Sequence, residues 1–249
     1  MNDYFIIIQA RTGSTRYPKK IIKNINKITI LEILIERLKR KVKSEKLIIA
    51  TTINKNDNIL CNIAKKNNIK YFRGSEKNVM SRYLKIGEVY NLDTIVRITS
   101  DCPFIDPKLL IKMLNIFDKK NIDYLSNTLP FEKKMFPDGS DIEIFNYKSL
   151  VKSFKFTKKS ELEHVTNQLW KNKKFKSKIY HQKLNLSKFR YSLDYKSDFL
   201  IIKKIYYYLK KNKLSGTAYQ ITNFLSKNQK LFDTGKQNLI KYLKNKDNS

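Results

Sequence analysis

Apolar positions follow two rhythms along the first half of this chain. Short continuous runs at residues 4–10, 46–52, 69–72 and 94–99 predict strands. Between them, stretches whose apolar residues recur every three to four positions predict helices over 29–43, 57–67, 78–91 and 107–120. The first of these helices opens with Thr29 and Glu32 at capping-box spacing, then presents Ile30, Ile33, Leu34 and Leu38 as an apolar face. The last opens with Asp106 as its cap and Pro107 in its first turn. Strands alternating with helices imply an α/β fold with a mainly parallel sheet covered on both faces.

The second half is less regular. Residues 123–126, 141–146, 175–181 and 189–194 are expected to be strands, and 161–171 and 197–211 helices. Residues 217–244 look like two basic helices. There is no internal repeat and no Gly/Ser/Pro linker, so the expected organisation is one domain over residues 1–211. Residues 212–249 would form a basic helical extension packed on it.

In open α/β sheets, ligands bind beyond the carboxyl ends of the strands, and three loops leave such ends. The first carries Arg11, Gly13, Ser14, Arg16 and Lys20 directly after an apolar strand. Three spaced cations with a glycine and small hydroxyls suit a phosphate group. The second is the 99–107 segment, where Asp101 directly follows a strand; a carboxylate there suits Mg²⁺, which takes one or two carboxylates plus substrate phosphates. Cys102 reads as a bystander. The third, 190–194, ends in Asp194, a candidate second carboxylate for the metal, while Asp198 suits the first turn of the following helix. Asp141 and Glu143, two apart on an expected strand and so on one side of it, and Glu163 beside His164 outline an acceptor pocket, with Arg190 as a further candidate.

Composition changes this picture in two ways. The formal charge is +30, which raises the prospect of nucleic acid. Yet the lysines are spread from Lys19 to Lys246 among abundant Asn, Ile and Tyr, so the charge reads as a solvated surface. The nearest stacking candidate, Tyr206-Tyr207-Tyr208, must turn part of itself inward at helical spacing. Arginine is more telling: there are eight, and six of them (Arg11, Arg16, Arg73, Arg82, Arg97, Arg190) lie in or beside the segments singled out here. Only arginine offers a rigid bidentate fork.

Cys61 and Cys102 make no disulfide framework and no metal spacing, and suit reduced thiols. No apolar run approaches the ~18 residues of a membrane span, and the chain enters its first strand without a signal segment. A cytoplasmic protein is the expectation. No Walker motif, zinc cluster or Ser-His-Asp arrangement is present.

The run Gln9-Ala10-Arg11-Thr12-Gly13-Ser14-Thr15-Arg16-Tyr17-Pro18-Lys19-Lys20 resembles the nucleotide-binding loop of the cytidylyltransferase family, above all its spore-coat polysaccharide biosynthesis F-type branch. The same order of motifs continues through Phe72-Arg73-Gly74-Ser75-Glu76, Val96-Arg97-Ile98-Thr99-Ser100-Asp101-Cys102-Pro103, Asp138-Gly139-Ser140-Asp141-Ile142-Glu143 and Glu163-His164-Val165-Thr166. The resemblance implies a Rossmann-like nucleotide-diphospho-sugar transferase fold. It implies transfer of CMP from CTP, with Mg²⁺, to a sugar acid, sugar phosphate or phosphonate, and a possible homodimer. By position, Arg11, Ser14, Arg16 and Lys20 would hold the triphosphate, and Ala10, Gly13, Arg73, Ser75 and Arg82 would lie toward the nucleotide. Asp101 and Asp194 would hold the metal. The family loop usually has glycine where this chain has Lys19, and often has acids where it has Asn78 and Ser81. A metal-dependent glycosyltransferase is the alternative; its usual Asp-x-Asp is missing, because Ser100-Asp101-Cys102 has no second acid.

Overall fold

The computed structural model describes residues 4–247, with side chains described as far as Lys244. Strands β1 (Tyr4–Gln9), β4 (Leu47–Thr52), β5 (Lys70–Gly74) and β6 (Thr94–Thr99) form the parallel part of a seven-stranded sheet. Helices α1 (Ile30–Lys39), α2 (Asn58–Lys66) and α3 (Val79–Val89) lie between them in sequence, and α4 (Pro107–Lys119) follows. The sheet continues through β8 (Glu143–Asn146), antiparallel to β6, then β7 (Tyr124–Ser126) and β9 (Ser177–Ile179). Strand order is β5-β4-β1-β6-β8-β7-β9. The fold is thus α/β, mixed but mostly parallel.

The central runs become strands β1, β4 and β6 because both of their faces are buried; β5 at the sheet edge is only half-covered. In β1, Ile6 and Ile8 enter one core with Leu31, Leu34, Leu38 and Leu114. Phe5 and Ile7 enter a second core with Met80, Tyr83 and Ile86 of α3. A third core lies under α7 (Lys196–Lys211), α8 (Ala218–Ser226) and the first turn of α9 (Gln229–Asp247), and it joins them to Ile30 and Ile33 of α1. The capping signals hold: Thr29 and Glu32 form a reciprocal box, and Asp106 caps α4. Tyr206 and Tyr208 pack against the third core, while Tyr207 is exposed.

Several expectations from the sequence fail, for tertiary reasons. Residues 189–194 are no strand. Their backbone bonds to loops: Tyr191 N–H donates to the Asp138 carbonyl at 2.8 Å and Leu193 N–H to that of Asp101 at 2.9 Å, with one isolated bridge between Asp138 and Arg190. The expected helix over 161–171 shrinks to α6 (Asn167–Lys171), because Thr166 Oγ1 is drawn to Glu143 and the chain turns ahead of it. Asp141 precedes β8, so it does not share a face with Glu143. An unforeseen helix, α5 (Tyr147–Phe154), follows β8. Its apolar spacing of Tyr147, Leu150, Val151 and Phe154 was available in the sequence. The phosphate-type loop also runs into α1 indirectly, through a single 3-10 turn at Lys20–Ile22 and a hairpin of β2 (Asn24–Ile25) and β3 (Ile28–Thr29). No helix among the described residues is long and apolar enough to cross a membrane.

Candidate active site at the carboxyl edge of the sheet

The chain builds outward from β1 in one direction through β4 and β5, then returns across it to lay down β6. The crevice between the ends of β1 and β6 is therefore a topological switch point, where such sheets bind ligands. The loop after β1 and the Asp101 loop after β6 meet there. Because β8 runs antiparallel to β6, the 138–142 segment that precedes it opens on the same edge.

Lys20 is the centre of the crevice. Its Nζ donates to Asp101 Oδ2 at 2.9 Å and to Asp194 Oδ1 at 3.0 Å. Burial alone would push its pKa down, but Asp101 and Asp194 together outweigh that and raise it. Arg16 Nη2 reaches the same Asp194 oxygen at 2.6 Å, and Arg190 Nη2 reaches the other oxygen at 2.6 Å. Burial favours the neutral form of Asp194, yet Lys20, Arg190 and Arg16 hold it well below the ordinary carboxylate range. Two of the three expected cations and both expected metal carboxylates are thus brought to one point, already neutralising one another.

Arg11, the third cation, sits apart. Its Nη2 donates to Glu163 Oε1 at 2.9 Å, and Nη1 lies 3.8 Å from Glu76. This brings the Glu163-His164 segment across to the loop; His164 is exposed beside it. Gly13 is exposed, and a Cβ there would stand 3.3 Å from Glu76 Oε1. Ser14 folds back within the loop, its N–H on the Thr12 carbonyl. Lys19 adopts φ 57°, ψ 23°, the left-handed region, which accounts for the glycine usual at that place in the resembling loops.

Two residues support the site in ways the sequence did not announce: Asp57, not singled out there, and Asp138, which stood in the expected acceptor segment. Asp57, buried at the start of α2, accepts from Thr12 N at 2.8 Å, Thr12 Oγ1 at 2.6 Å and Thr52 Oγ1 at 2.5 Å. It ties the root of the β1 loop to the end of β4. Burial would raise its pKa, but these hydrogen bonds lower it. Asp138 pairs with Arg190 and accepts from Ser192 Oγ at 3.0 Å. Its neighbour Gly139 has φ 104°, and a Cβ there would meet Ser192 N at 2.6 Å, so only glycine lets the 138 loop approach the 190–194 segment so closely. Nothing in local spacing announces either contact.

Other expected site residues are committed to partners within the protein, and some of them are buried. Glu143 is 3% exposed and is held by Arg97, by Tyr124 Oη at 2.8 Å and by Thr166 Oγ1 at 2.5 Å. A carboxylate with that many partners holds the sheet together and does not read an acceptor. Arg190 is 2% exposed and committed to aspartates. Arg82 is buried, with Nη1 on the Ala50 carbonyl at 2.9 Å, and Ala10 spends its N–H on the same carbonyl at 3.1 Å. Arg73 braces the carbonyls of Thr52 and Asn54, both at 2.9 Å. Ser75 is exposed and accepts from Asn78 N–H at 3.0 Å. Asn78 and Ser81 serve as cap and first-turn residue of α3.

Asp141 lies close to Asp101, one of the two carboxylates expected to hold a metal. Its Oδ2 accepts from Gly139 N–H at 2.8 Å and lies 3.7 Å from Cys102 Sγ, which is 3.8 Å from Asp101 Oδ1. Burial first, then Asp141 and Asp101, push the Cys102 thiol well above its ordinary value, so it stays neutral. Both cysteines are buried free thiols. Among the described residues no group of three or more His, Cys, Asp or Glu could hold a metal alone. Asp101 and Asp194 meet on the Lys20 ammonium; Asp101 is part-exposed, whereas Asp194 is 5% exposed and already paired with Lys20, Arg16 and Arg190, so the two carboxylates Mg²⁺ could take become available to it only as those cations turn away.

The cytidylyltransferase family model matches residues 5–246. An uncharacterised protein of Methanocaldococcus jannaschii is 36% identical over 231 residues, 90% of this chain and 91% of that protein. The spore coat polysaccharide biosynthesis protein SpsF of Bacillus subtilis is 38% identical over 128 residues, 50% of this chain and 53% of its own length. A solved cytidylyltransferase from Leptospira borgpetersenii serovar Hardjo-bovis superposes with a TM-score of 0.84 at 34% identity, over 93% of this chain and 97% of that one.

Proposed function

The chain belongs to the cytidylyltransferase family, and from that membership we propose that it transfers CMP from CTP to a small anionic acceptor, releasing pyrophosphate. The observation that carries this reading is the Lys20 ammonium set between Asp101 and Asp194 in the crevice beside Arg16. A site that places cations and carboxylates on one point suits a polyphosphate and its cation together.

CTP enters with its triphosphate along the β1 loop. Lys20 and Arg16 turn from Asp194 to phosphate oxygens, and Arg11 leaves Glu163 to do the same. An acceptor oxygen then forms a bond to the α-phosphorus, opposite the oxygen that bridges to the β-phosphorus. That bridging bond breaks, and its electron pair leaves on pyrophosphate. Arg11, Arg16 and Lys20 offset the charge that grows on the leaving group, so positioning and electrostatics carry the rate. Mg²⁺ on Asp101 and Asp194 would supply Lewis-acid polarisation of the phosphate. Arg190 helps keep Asp194 ionised, Asp138 braces Arg190, and Asp198 holds the Asp194 backbone N–H.

An acceptor that arrives as a phosphate or phosphonate is already an anion and needs no base from the protein. A sugar acid belongs to the same class of ligand. Asp141, beside Cys102 and Asp101, and the exposed Glu163 and His164, the first of them paired with Arg11, are our candidates for contacting it. The likeness to SpsF supports a place in the synthesis of polysaccharide or glycoconjugate precursors. The test is pyrophosphate release with Mg²⁺ and each of CTP, UTP, ATP and GTP against sugar acids, sugar phosphates and phosphonates. Release with CTP and one acceptor class is expected. No release with any acceptor, together with no CTP binding by calorimetry, would overturn the reading.

A further inference from the structure

The last helix, α9, carries one stripe that faces the crevice. Leu231, Gly235, Asn238 and Tyr242 are spaced four, three and four residues apart, which keeps them on one side of a helix. Leu231 belongs to the third core. At Gly235 a Cβ would lie 3.2 Å from the Arg190 carbonyl oxygen and 3.7 Å from Ile201 Cδ1, so the helix approaches the 190–194 segment through the gap its missing side chain leaves. Asn238 Nδ2 donates to Asp198 Oδ1 at 2.6 Å and to Ser197 Oγ at 2.9 Å. Asp198 Oδ2 in turn accepts from the backbone N–H groups of Asp194 and Tyr195, both at 2.8 Å. The helix thereby sets the backbone from which the Asp194 carboxylate projects.

Tyr242, the end of the stripe, is placed against the two guanidiniums that flank this carboxylate. Its ring centroid is 5.3 Å from Arg16 Cζ and 5.4 Å from Arg190 Cζ. Arg16 holds one oxygen of Asp194 and Arg190 the other. Arg190 is buried and braced by three aspartates, so its position does not depend on the ring. Arg16 is 36% exposed and has one carboxylate partner; the faces of Tyr242 and, at 5.8 Å, Tyr195 supply the rest of its restraint. Burial, then the field of Asp194, Asp141 and Asp101, raises the Tyr242 pKa, which keeps the ring neutral and electron-rich toward the cations.

We propose that α9 is part of the catalytic site and that Tyr242 is a positioning residue, whose ring keeps the Arg16 guanidinium at the crevice as it passes from Asp194 to the triphosphate of CTP. This rests on the reading of CTP as the substrate. The ring, and not the hydroxyl, does the positioning, so Phe can replace Tyr242 and an aliphatic side chain cannot.

The experiment measures CTP binding by calorimetry, and KM and kcat for CTP, in the full chain and in Tyr242→Phe, Tyr242→Leu, Arg16→Ala and the Tyr242→Leu/Arg16→Ala pair. Tyr242→Phe should bind CTP within about twofold of the parent. Tyr242→Leu should weaken binding by roughly three- to thirtyfold, the range of a cation–π contact, and should lower kcat as well as raise KM, because Arg16 also meets the charge that grows on the leaving group. In the double variant Tyr242→Leu should add less than about twofold to the loss caused by Arg16→Ala, because its partner is already gone. Equal CTP binding by Tyr242→Leu and the parent, or a full additive loss in the double variant, would overturn the proposal while the CTP reading stands. Should Tyr242→Leu fail to fold, normal CTP binding by a Tyr242→Gln chain would overturn it equally. A parent chain that binds no CTP overturns the substrate reading, and this inference with it.

Discussion

Lys20 donates to Asp101 across 81 residues of sequence, at 2.9 Å, and the same ammonium meets Asp194 from 174 residues away. It stands where the phosphate-type loop, the first carboxylate and the second carboxylate cross. Replacing it with Met keeps the stem and removes the charge. Loss of one preorganised donor at a developing charge is worth about a hundred- to thousandfold in kcat. Lys20→Met should fall in that range in the pyrophosphate-release assay. It should also lower thermal stability, because Asp194 is left buried with one fewer cation. A variant that turns over at the parent rate would remove Lys20 from the chemistry.

Asp194 makes stability depend on acid. Its folded-state pKa lies below the ordinary value of 3.8, held there by Lys20, Arg190 and Arg16 against burial. A depressed carboxylate contributes its full stability above the unfolded pKa and loses it as pH falls through the folded one. Melting temperature should therefore be level from neutral pH down to about pH 4 and drop steeply below it. Asp194→Asn should melt lower at neutral pH and show a shallower drop below pH 4. Parallel curves for the two proteins would mean that other carboxylates, such as Asp57 and Glu32, carry the acid sensitivity.

On the proposed reading, Glu163 competes with CTP for Arg11. The Arg11–Glu163 pair is half exposed, and such pairs are worth about 0–1 kcal/mol. Releasing Arg11 by Glu163→Gln should tighten CTP binding by up to about fivefold, read by calorimetry without acceptor. If Glu163 also contacts the acceptor, acceptor KM rises in the same variant while CTP affinity improves. Weaker CTP binding would show that Glu163 orients Arg11 and does not restrain it.

Lys19 is strained by its own backbone. A left-handed residue with a Cβ costs roughly 1–2 kcal/mol, and glycine returns about half of that through its freer unfolded chain. Lys19→Gly should therefore raise stability by about 0.5–1 kcal/mol in urea unfolding. Lys19→Val should lower it by at least about 1 kcal/mol, since β-branching makes that conformation worse. A Val variant as stable as the parent would show that the loop relaxes out of this conformation.

Local chemistry made much of this molecule legible in its sequence. Three of the four parallel strands, β1, β4 and β6, are mainly apolar runs because both faces are buried, and that composition needs no partner to be recognised; β5, at the sheet edge, is not. The Thr29–Glu32 box and the Asp106 cap depend on residues within a turn of each other. Arg16, Lys20 and Asp101 could be picked out because strand ends and loop chemistry locate a ligand edge, and they lie in the ordered motifs that resemble the family. Asp194 stood out as the end of an expected strand that does not form.

Partnership across the chain was decided by tertiary structure alone. Glu143 and Arg190 look the same in sequence as Asp101 and Arg16, but the first two are buried with full sets of partners while the second two face the crevice. Residues 189–194 read as a strand because Phe, Tyr and Leu alternate there with polar residues, whereas their backbone is bonded by loops at Asp101 and Asp138. The α9 stripe of Gly235, Asn238 and Tyr242 is polar enough to pass for solvent-facing helix until the 190–198 segment is laid against it. Caps, turns and strand runs are written within a few residues because their hydrogen bonds close locally. Which carboxylate is spent on the fold and which is left for a ligand depends on contacts dozens to well over a hundred residues apart, and only the folded chain brings those together.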